Sequence, residues 1–354
     1  MWVKKGEAKN IYDHRFYLLF PILLSAAFIQ CNKPVKNVHR AFYHWKSTVK
    51  LTSREMQALD SLHVNTLYVK LFDVDWDEAT HQPIPAAKLS TTSKPQLSKY
   101  QIIPVVFITN ECLLRIDSSQ ANTLANKIHK LIKDLCMLNQ IDSIMEIQID
   151  CDWTASTREK YFSILQSIKR LNTGITLSAT IRLHQVKFVS KSGVPPIDKG
   201  LLMCYNMGNL KNAATKNSII ETKELKKYIG NLQYYPLPLD VALPLFEWKV
   251  LFRNNVYMGL IEALPDKTLT PSFCRQIANR TELLKDTLLQ GYELKKGDVL
   301  RSEKSNIEDV LATAREINIQ LKNTEVSVSL YHLDSVTLNK YTTHELESIY
   351  RSFH

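Results

Sequence analysis

The stretch of sequence that most constrains the fold is residues 144–153, which read IMEIQIDCDW. Polar and apolar residues alternate there, and side chains in a strand point to opposite faces in turn. One face of the predicted strand therefore carries Glu146, Gln148, Asp150 and Asp152, and the other carries Ile147, Ile149 and Cys151. A row of polar groups predicts either a wet face or a buried hydrogen-bonded network, with the apolar face packed on helices.

Extended and helical patterns alternate along the chain, and they predict eight strands. The strands span residues 41–45, 66–74, 102–108, 144–153, 176–184, 200–205, 239–246 and 326–331. Helices are predicted at residues 53–62, 122–138, 156–171, 222–232 and 307–321, and residues 80–98, rich in Pro, Ser and Thr, are predicted to form a loop.

Eight strands with helices between most of them are typical of a closed α/β barrel, a single (β/α)8 TIM-type barrel. The glycine-rich phosphate loops GxGxxG and GxxxxGK, which accompany doubly wound sheets, do not occur in the sequence. We therefore predict a barrel over residues 38–354, with an insertion after the seventh strand at about residues 249–306.

Residues 1–37 are predicted to be a leader and linker. Four basic residues come before an apolar run over residues 16–29, which is the pattern of an export signal. Cys31 follows SAAFIQ and resembles the lipidated first residue of a bacterial lipoprotein, which predicts an exported cell-envelope protein anchored to the membrane through that lipid. Gln30 stands where a small residue is usual, so cleavage after Ala27, or no cleavage, is the alternative.

Composition narrows the class of ligand. The net charge of +10 favours an anionic partner, but the basic residues are spread over predicted helix faces without the interleaved aromatics of a nucleic-acid groove. No nucleic acid is expected, and a basic nucleic-acid-binding barrel is kept only as a third hypothesis. The six cysteines lack CxxC spacing, which predicts neither a zinc site nor a disulfide framework. No metal and no cofactor are expected.

Polar residues follow nearly every predicted strand, at the end of a barrel where binding and catalytic side chains lie. Carboxylates bind sugar hydroxyls, and aromatic rings pack on the apolar C–H faces of sugars. We therefore predict a carbohydrate ligand, either an oligosaccharide or a polysaccharide. The candidate substrate-binding residues are Asp73, Asp75, Arg182, His184, Tyr205, Asn206 and Trp248, and the candidate catalytic residues are Asp150, Asp152 and Glu247.

Two short motifs resemble those of family 18 chitinases. The run IQIDCDWT resembles their fourth-strand signature D-x-x-D-x-D-x-E, with Asp150 and Asp152 at its last two aspartates. The run MCYN, which ends at Asn206, resembles their sixth-strand element M-x-Y-D/N. Thr154 stands at the position of the catalytic glutamate. Because this substitution removes the proton donor, the resemblance implies the fold and a sugar ligand but not chitinase activity.

Over residues 38–354 the chain more closely resembles an uncharacterised family of exported bacterial barrel proteins that are distantly similar to glycoside hydrolases. The pieces that carry the resemblance are QIDCDWT with a following R-x-x-Y at Arg158 and Tyr161, LSATIRLHQ, and LPLFEW. The resemblance implies a barrel and sugar-related chemistry, and it brings no established activity.

A second mechanism places an acid after strand four and a nucleophile after strand seven, as many glycosidase barrels do. Here Asp152, with its pKa raised by Asp150, would protonate the leaving oxygen, and Glu247 would attack the anomeric carbon or activate water. Arg182 and Tyr205 would orient them. Strand parity puts Glu247 on the opposite face from Phe246 and Trp248, so a bulge would decide which set points inward.

Structural readings compete with these roles. Asp150 and Asp152 could bind Arg182 in an ion-pair network that only stabilises the barrel. Asp73 and Asp75, with Asp77, could form a cation-binding loop, although a solvated turn is favoured. The sequence thus predicts an exported protein that hydrolyses or binds a glycan. The alternative is a non-catalytic envelope module that uses the barrel pocket for binding.

Overall fold

The structure of the protein, a computed structural model, describes residues 1–2, 36–91, 94–262 and 264–354. Nearly all of the predicted leader, including Cys31, lies outside the described residues. Residues 36–354 form one compact unit. No helix in the described ranges is long and apolar enough to cross a membrane.

Eighteen strands and ten α-helices are described. The strands are β1 (Asn37–His44), β2 (Thr48–Val49), β3 (Thr66–Asp77), β4 (Gln82–Ala86), β5 (Ser90–Thr91), β6 (Gln101–Ile108), β7 (Glu146–Asp150), β8 (Thr176–Arg182), β9 (Lys199–Met203), β10 (Leu239–Pro244), β11 (Glu247–Arg253), β12 (Val256–Ile261), β13 (Cys274–Ile277), β14 (Arg280–Leu283), β15 (Thr287–Leu289), β16 (Tyr292–Leu294), β17 (Val299–Lys304) and β18 (Glu325–Tyr331). The helices are α1 (Ser53–Ser61), α2 (Asn110–Arg115), α3 (Ala121–Leu138), α4 (Arg158–Leu171), α5 (Leu183–Lys187), α6 (Val189–Ser192), α7 (Thr222–Lys226), α8 (Ile307–Gln320), α9 (Ser335–Leu338) and α10 (Thr343–Arg351).

Eight parallel strands close into a barrel, which confirms the predicted fold. Their order around the barrel is β1, β3, β6, β7, β8, β9, β10 and β18, and β18 pairs again with β1. Ala41 in β1, for example, pairs with Thr66 on one side and Ser329 on the other. All eight strands predicted from the sequence are present. The predicted helix over residues 222–232 is wrong in part, because it divides into α7 and a separate 3-10 helix, Ile229–Tyr234.

Strand β7 confirms the alternation that the sequence predicts. Ile147 and Ile149 are buried in the hydrophobic core. Glu146 pairs with Lys199 of β9 at 2.8 Å, and Gln148 accepts a hydrogen bond from Tyr43 of β1. Contacts with strands across the barrel require these polar side chains to point inward. The barrel interior is therefore a buried polar network rather than a purely apolar core.

The insertion after β10 is an antiparallel sheet. Its five strands run in the order β12, β11, β17, β14 and β13, and β15 pairs with β16 beside them. The sheet has a small core of its own, formed by Ile261, Leu264, Cys274, Leu283, Leu294 and Leu300. These strands are short and half exposed, so they lack the long apolar runs of the barrel strands.

The loop predicted at residues 80–98 is also wrong in part. Strand β3 continues to Asp77, and β4 pairs antiparallel with its last five residues. Pro83 and Pro85 lie in β4, and they are compatible with a strand there because β4 is at an edge of the sheet, where a proline need not donate to a neighbour. The hairpin extends the wall of the barrel beyond the ends of the other strands.

Candidate functional site

The site lies at the carboxyl ends of the barrel strands, which we call the mouth. Asp150, the last residue of β7, is only 3% exposed and accepts a hydrogen bond from Thr180 of β8. Burial raises the pKa of Asp150 to about 6, although Arg182 and the Thr180 hydroxyl oppose the rise. A carboxyl group in this range can exchange a proton near neutral pH.

Asp152 lies two residues beyond the end of β7, with its side chain 53% exposed. Arg182, the last residue of β8, donates a hydrogen bond from Nε to Asp152. Burial acts to lower the pKa of Arg182, but Asp152 and Asp150 together raise it. His184 lies nearby with an exposed side chain, and partial desolvation of its ring together with the positive charge of Arg182 lowers its pKa. The structure thus brings together four of the predicted site residues.

Gln185 fixes the turn that carries Arg182. Its Oε1 accepts from the backbone N–H of Arg182 at 2.8 Å, and its Nε2 donates to the carbonyl of Trp153 at 3.3 Å. The Trp153 ring in turn stacks on Tyr161 at 5.1 Å between ring centroids. These buried contacts hold Asp152 and Arg182 from behind, and the residue pattern did not predict them.

An aromatic cluster fills the centre of the mouth around Tyr331, the last residue of β18. The rings near it lie at centroid distances of 5.6 Å for Tyr43, 5.8 Å for Trp45, 5.3 Å for Tyr205 and 5.7 Å for Phe246. Tyr331, Trp45 and Phe246 remain partly exposed. Sequence reasoning missed Tyr331 and Phe246, because an aromatic residue at a strand end is as common in barrel packing as in binding.

Several buried polar atoms at the mouth have no hydrogen-bond partner among the described residues. They are the Tyr205 hydroxyl, Nδ1 of His44 and of His332, Oδ1 of Asp73 and Nε1 of Trp76. His44, Trp76, Tyr205 and His332 lie at or just after the carboxyl end of a barrel strand, and Asp73 of β3 pairs with Phe107, one residue before the end of β6. Burial, Lys46 and His332 lower the pKa of His44 to about 4, so its ring is neutral at pH 7. Four further atoms of this kind in the described residues lie elsewhere, the hydroxyls of Tyr68, Tyr235, Thr313 and Ser329. Buried polar groups normally have a partner, so the presence of five of the nine at the mouth favours a ligand or ordered water there.

Lys70 is a site residue that the sequence did not indicate. It is 8% exposed, its Nζ pairs with Asp73 at 2.9 Å, and it lies 5.2 Å from the centroid of the Trp45 ring. Residues 70 and 73 would face opposite sides of a regular strand. A register shift between Lys70 and Phe72 changes this parity, and a bulge of this kind leaves no signature in the sequence.

The other aspartates of β3 make local contacts. Asp75 accepts from Thr109 at 3.0 Å, and Asp77 accepts from the backbone N–H of Thr80 at 3.1 Å. The Thr80 hydroxyl lowers the pKa of Asp77. In the described part of the chain, no group of three His, Cys, Asp or Glu residues could hold a metal ion. Asp77 thus belongs to a solvated turn, the reading that the sequence favoured.

Glu247 does not meet Asp152 across the barrel as the second mechanism requires. Its Oε1 pairs with Lys340 at 2.6 Å, in a polar cleft of about 300 Å³ that also includes Ser305, Glu308 and Glu345. The physical reason is strand parity. Phe246 and Trp248 turn toward the aromatic cluster, so Glu247 between them points to the outer helices.

Trp248 lies at the mouth and is held by the insertion. Its ring is 5.1 Å from that of Phe246, and its indole Nε1 donates to Oε2 of Glu303 at 2.7 Å. Glu303 also accepts from Arg301 at 2.6 Å and from Ser218 at 2.5 Å. Because Arg301 donates further to the carbonyls of residues 210 and 212, the insertion fixes both Trp248 and the loop after β9.

Thr154 and Asn206 complete the chitinase-like motifs. Thr154 is exposed and its hydroxyl bonds to that of Ser156 at 2.8 Å, so the position of the catalytic glutamate holds no group that donates a proton at neutral pH. Asn206 is exposed with φ of 54°, and its backbone N–H donates to Ile219 at 2.7 Å. It therefore shapes the loop that follows Tyr205.

No protein-family model matches the chain, and no curated protein matches it significantly. Solved structures do match. The spore cortex-lytic enzyme SleL of Bacillus cereus is 15% identical, with a TM-score of 0.52 over 90% of this chain and 75% of that one. A chitinase of Chromobacterium violaceum is 11% identical, with a TM-score of 0.50 over 86% and 98%.

A third match is the C-terminal domain of a chitinase-like protein of Desulfitobacterium hafniense. It is 10% identical, with a TM-score of 0.53 over 91% of this chain and 100% of that domain. At these identities the likeness concerns the fold. The chain has a barrel similar to those of these three proteins.

Proposed function

We propose that this protein binds a glycan at the mouth of the barrel. The observation that carries the proposal is the set of five buried polar atoms without a partner among the described residues, gathered at the strand ends. Partly exposed rings of Trp45, Tyr331 and Trp248 lie at the same end. A ligand suited to this surface offers hydrogen-bond donors and acceptors around a flat apolar face, and a sugar ring has both.

The fold comparison supports a glycan as the ligand. Solved structures with this barrel include a chitinase and a spore cortex-lytic enzyme. In the present chain, the motif residues Asp150, Asp152, Tyr205 and Asn206 lie at the mouth. Glycan binding requires only residues that hold the ligand at the mouth, whereas hydrolysis requires catalytic groups as well.

Hydrolysis is the second candidate, and the environment of Asp150 favours it. The pKa of about 6 that burial gives Asp150 is suited to an acid near neutral pH. Two features count against it. Thr154 replaces the glutamate, and Glu247 is paired with Lys340 away from the mouth. A hydrolytic mechanism would therefore depend on Asp150 and Asp152 alone, with the exposed Asp152 as the group nearest the solvent.

Export and a lipid anchor on Cys31 form a separate part of the proposal, supported by the basic and apolar pattern of residues 1–31. In this account the glycan belongs to the cell envelope or to its surroundings. Mass spectrometry of the protein purified from bacterial membranes tests the anchor. A diacylglycerol-modified cysteine as the first residue supports it, and an unmodified chain starting elsewhere rejects it.

One experiment distinguishes binding from turnover. It compares the wild type with three variants, Asp150→Asn, Asp152→Asn and Glu247→Gln. Calorimetric titration with chitin oligosaccharides, peptidoglycan fragments and plant polysaccharides measures binding, and release of reducing ends measures hydrolysis. We expect binding that weakens in Asp150→Asn and is unchanged in Glu247→Gln. Turnover that disappears in Asp152→Asn would establish the second candidate. Absence of binding to every glycan would reject the proposal.

A further inference from the structure

The end of the barrel opposite the mouth carries exposed apolar side chains. We call this end the amino-end face, and it consists of the connections that lead into the first residues of the barrel strands. Large apolar or aromatic residues there are between 38% and 78% exposed, namely Met137, Leu138, Met145, Leu171, Tyr234 and Ile319. Each lies at the end of a helix or just before a barrel strand, so the chain order alone places all six at this end.

These residues form two neighbouring patches. The first lies under β7 and β8, where helices α3 and α4 pack together and the N–H of Thr176 donates to the carbonyl of Met145 at 3.0 Å. The second lies under β10 and β18, where Asn323 donates to the carbonyl of Leu239 at 3.2 Å. Only β9 separates β8 from β10 in the barrel. The patches therefore cover one side of the amino-end face.

Basic side chains accompany both patches. Lys127, Lys130 and Lys133 are exposed on α3 above Met137, and Lys322 lies 5.2 Å from the centroid of the Tyr234 ring. Residues 127–145 and 166–176 together hold five basic and two acidic residues, a net charge of +3, and one of the five, Lys169, pairs with Asp198 at 2.6 Å. Lysines on the same elements as exposed apolar side chains, with a tyrosine among them, match the boundary between anionic headgroups and acyl chains.

The chain enters the barrel at this same end. Asn37 begins β1, and its N–H donates to the carbonyl of Thr324, next to the second patch. The sequence before it contains the basic residues and the apolar run of residues 16–29. The described chain therefore enters β1 at the amino-end face and not at the mouth.

We propose that the amino-end face rests on an anionic phospholipid bilayer, so that the mouth points away from the membrane. The two patches supply the apolar contact and the lysines supply the attraction to headgroups. The proposal concerns the opposite end of the barrel from the glycan site and does not depend on what the mouth binds. In this proposal, the surface of the barrel itself determines how the barrel is oriented on the membrane.

The test is hydrogen–deuterium exchange of the full chain, with and without vesicles of phosphatidylglycerol and phosphatidylcholine. We expect slower exchange in residues 137–145 and 319–324 on vesicles, with the loop after Tyr205 unchanged. A double variant, Met137→Ser with Met145→Ser, should lose this protection and bind vesicles about tenfold more weakly, since two apolar insertions are removed. High salt should weaken the binding of the wild type.

Val256→Ser with Leu288→Ser is the matched control, because these residues are 62% and 69% exposed but belong to the insertion. It should bind vesicles as the wild type does. The apolar run near the amino terminus is common to all variants, so differences between them report on the barrel. Equal vesicle binding and equal exchange in both double variants would overturn the proposal. So would protection of residues 137–145 that arises without vesicles from self-association, as measured by light scattering.

Discussion

The barrel interior contains two clusters with nearly the same chemistry, one near each end. The lower cluster joins Lys199 to Glu146 at 2.8 Å and to Asp240 at 2.7 Å. The upper cluster, at the mouth, sets Arg182 beside Asp152 and Asp150. Both consist of a cation and two carboxylates contributed by neighbouring or nearby barrel strands, so residue type alone does not distinguish a structural network from a binding site.

The clusters differ in how completely their polar atoms are paired. In the lower cluster, Glu146 also accepts from Ser178 at 2.6 Å, and Asp240 accepts from the N–H of Ser327 at 2.7 Å. Among the buried atoms that have no partner in the described residues, the Tyr68 hydroxyl lies beside the lower cluster, whereas atoms of five residues lie at the mouth, namely His44, Asp73, Trp76, Tyr205 and His332. A nearly closed network stabilises the fold, whereas one with several unpaired atoms is available to a ligand.

The largest expected effect breaks the lower cluster. Lys199→Met leaves the carboxylates of Glu146 and Asp240 buried without a cation, and we expect a loss of about 3–5 kcal/mol in the free energy of unfolding. The control is Lys169→Met, which removes an exposed pair with Asp198 and should cost less than about 1 kcal/mol. Urea denaturation measures both. Equal losses would mean that the lower cluster is not the structural one.

At the mouth, replacing a buried carboxylate is expected to stabilise the fold, which is opposite to the effect of Lys199→Met. The folded-state pKa of Asp150 is raised from 3.8 to about 6, so its contribution to stability is present below pH 3.8 and is lost as the pH rises through 6. Asp150→Asn should therefore stabilise the fold at pH 8 by about 3 kcal/mol and make little difference at pH 4. Thermal unfolding of both proteins at the two pH values measures this. Destabilisation at pH 8 would show that Asp150 is structural.

A smaller effect is expected when a single hydroxyl group is removed, and this change distinguishes a role in binding from a role in stability. Tyr205→Phe removes a hydroxyl without a partner among the described residues, so stability should change by less than about 0.5 kcal/mol while glycan affinity falls about tenfold. Tyr161→Phe is the control, because its buried hydroxyl donates to the carbonyl of Ile149 at 3.2 Å. It should lose about 1 kcal/mol of stability and keep its affinity. The reverse pattern would contradict the assignment of the mouth.

The smallest effect concerns Glu247. Its pair with Lys340 is 41% exposed on both sides, so Glu247→Gln should change stability by less than about 0.5 kcal/mol. Glycan binding and any hydrolysis should stay at the wild-type level. Loss of either in a folded variant would restore Glu247 as a site residue and would imply that the mouth rearranges around it.

Much of the barrel could be predicted because its signals are local. Alternation in residues 144–153 identified the inward face of β7, and the strand ends located Asp150, Asp152, Arg182 and Tyr205. Parity correctly raised the doubt about Glu247. Each of these inferences uses only the period of a strand and the rule that barrels keep functional residues at carboxyl ends.

The rest depends on contacts between distant parts of the chain. The register shift in β3 that brings Lys70 to Asp73 follows from pairing with neighbouring strands. Trp248 is held by Glu303, 55 residues later, inside an insertion whose short strands have weak patterns. Whether the polar atoms of a carboxylate cluster are all paired is likewise determined by the opposing strands. The sequence therefore could not show that the lower cluster is structural and that the mouth is the binding site.

The most direct test of the central claim is nuclear magnetic resonance of the tryptophan indole groups during titration with chitin and peptidoglycan oligosaccharides. The account predicts that the signals of Trp45 and Trp248 shift as the glycan binds. The signal of Trp153, which is 2% exposed behind the site, should stay in place. Saturable binding that leaves Trp45 and Trp248 unchanged, or no binding of any glycan, would contradict the mouth of the barrel as a glycan site.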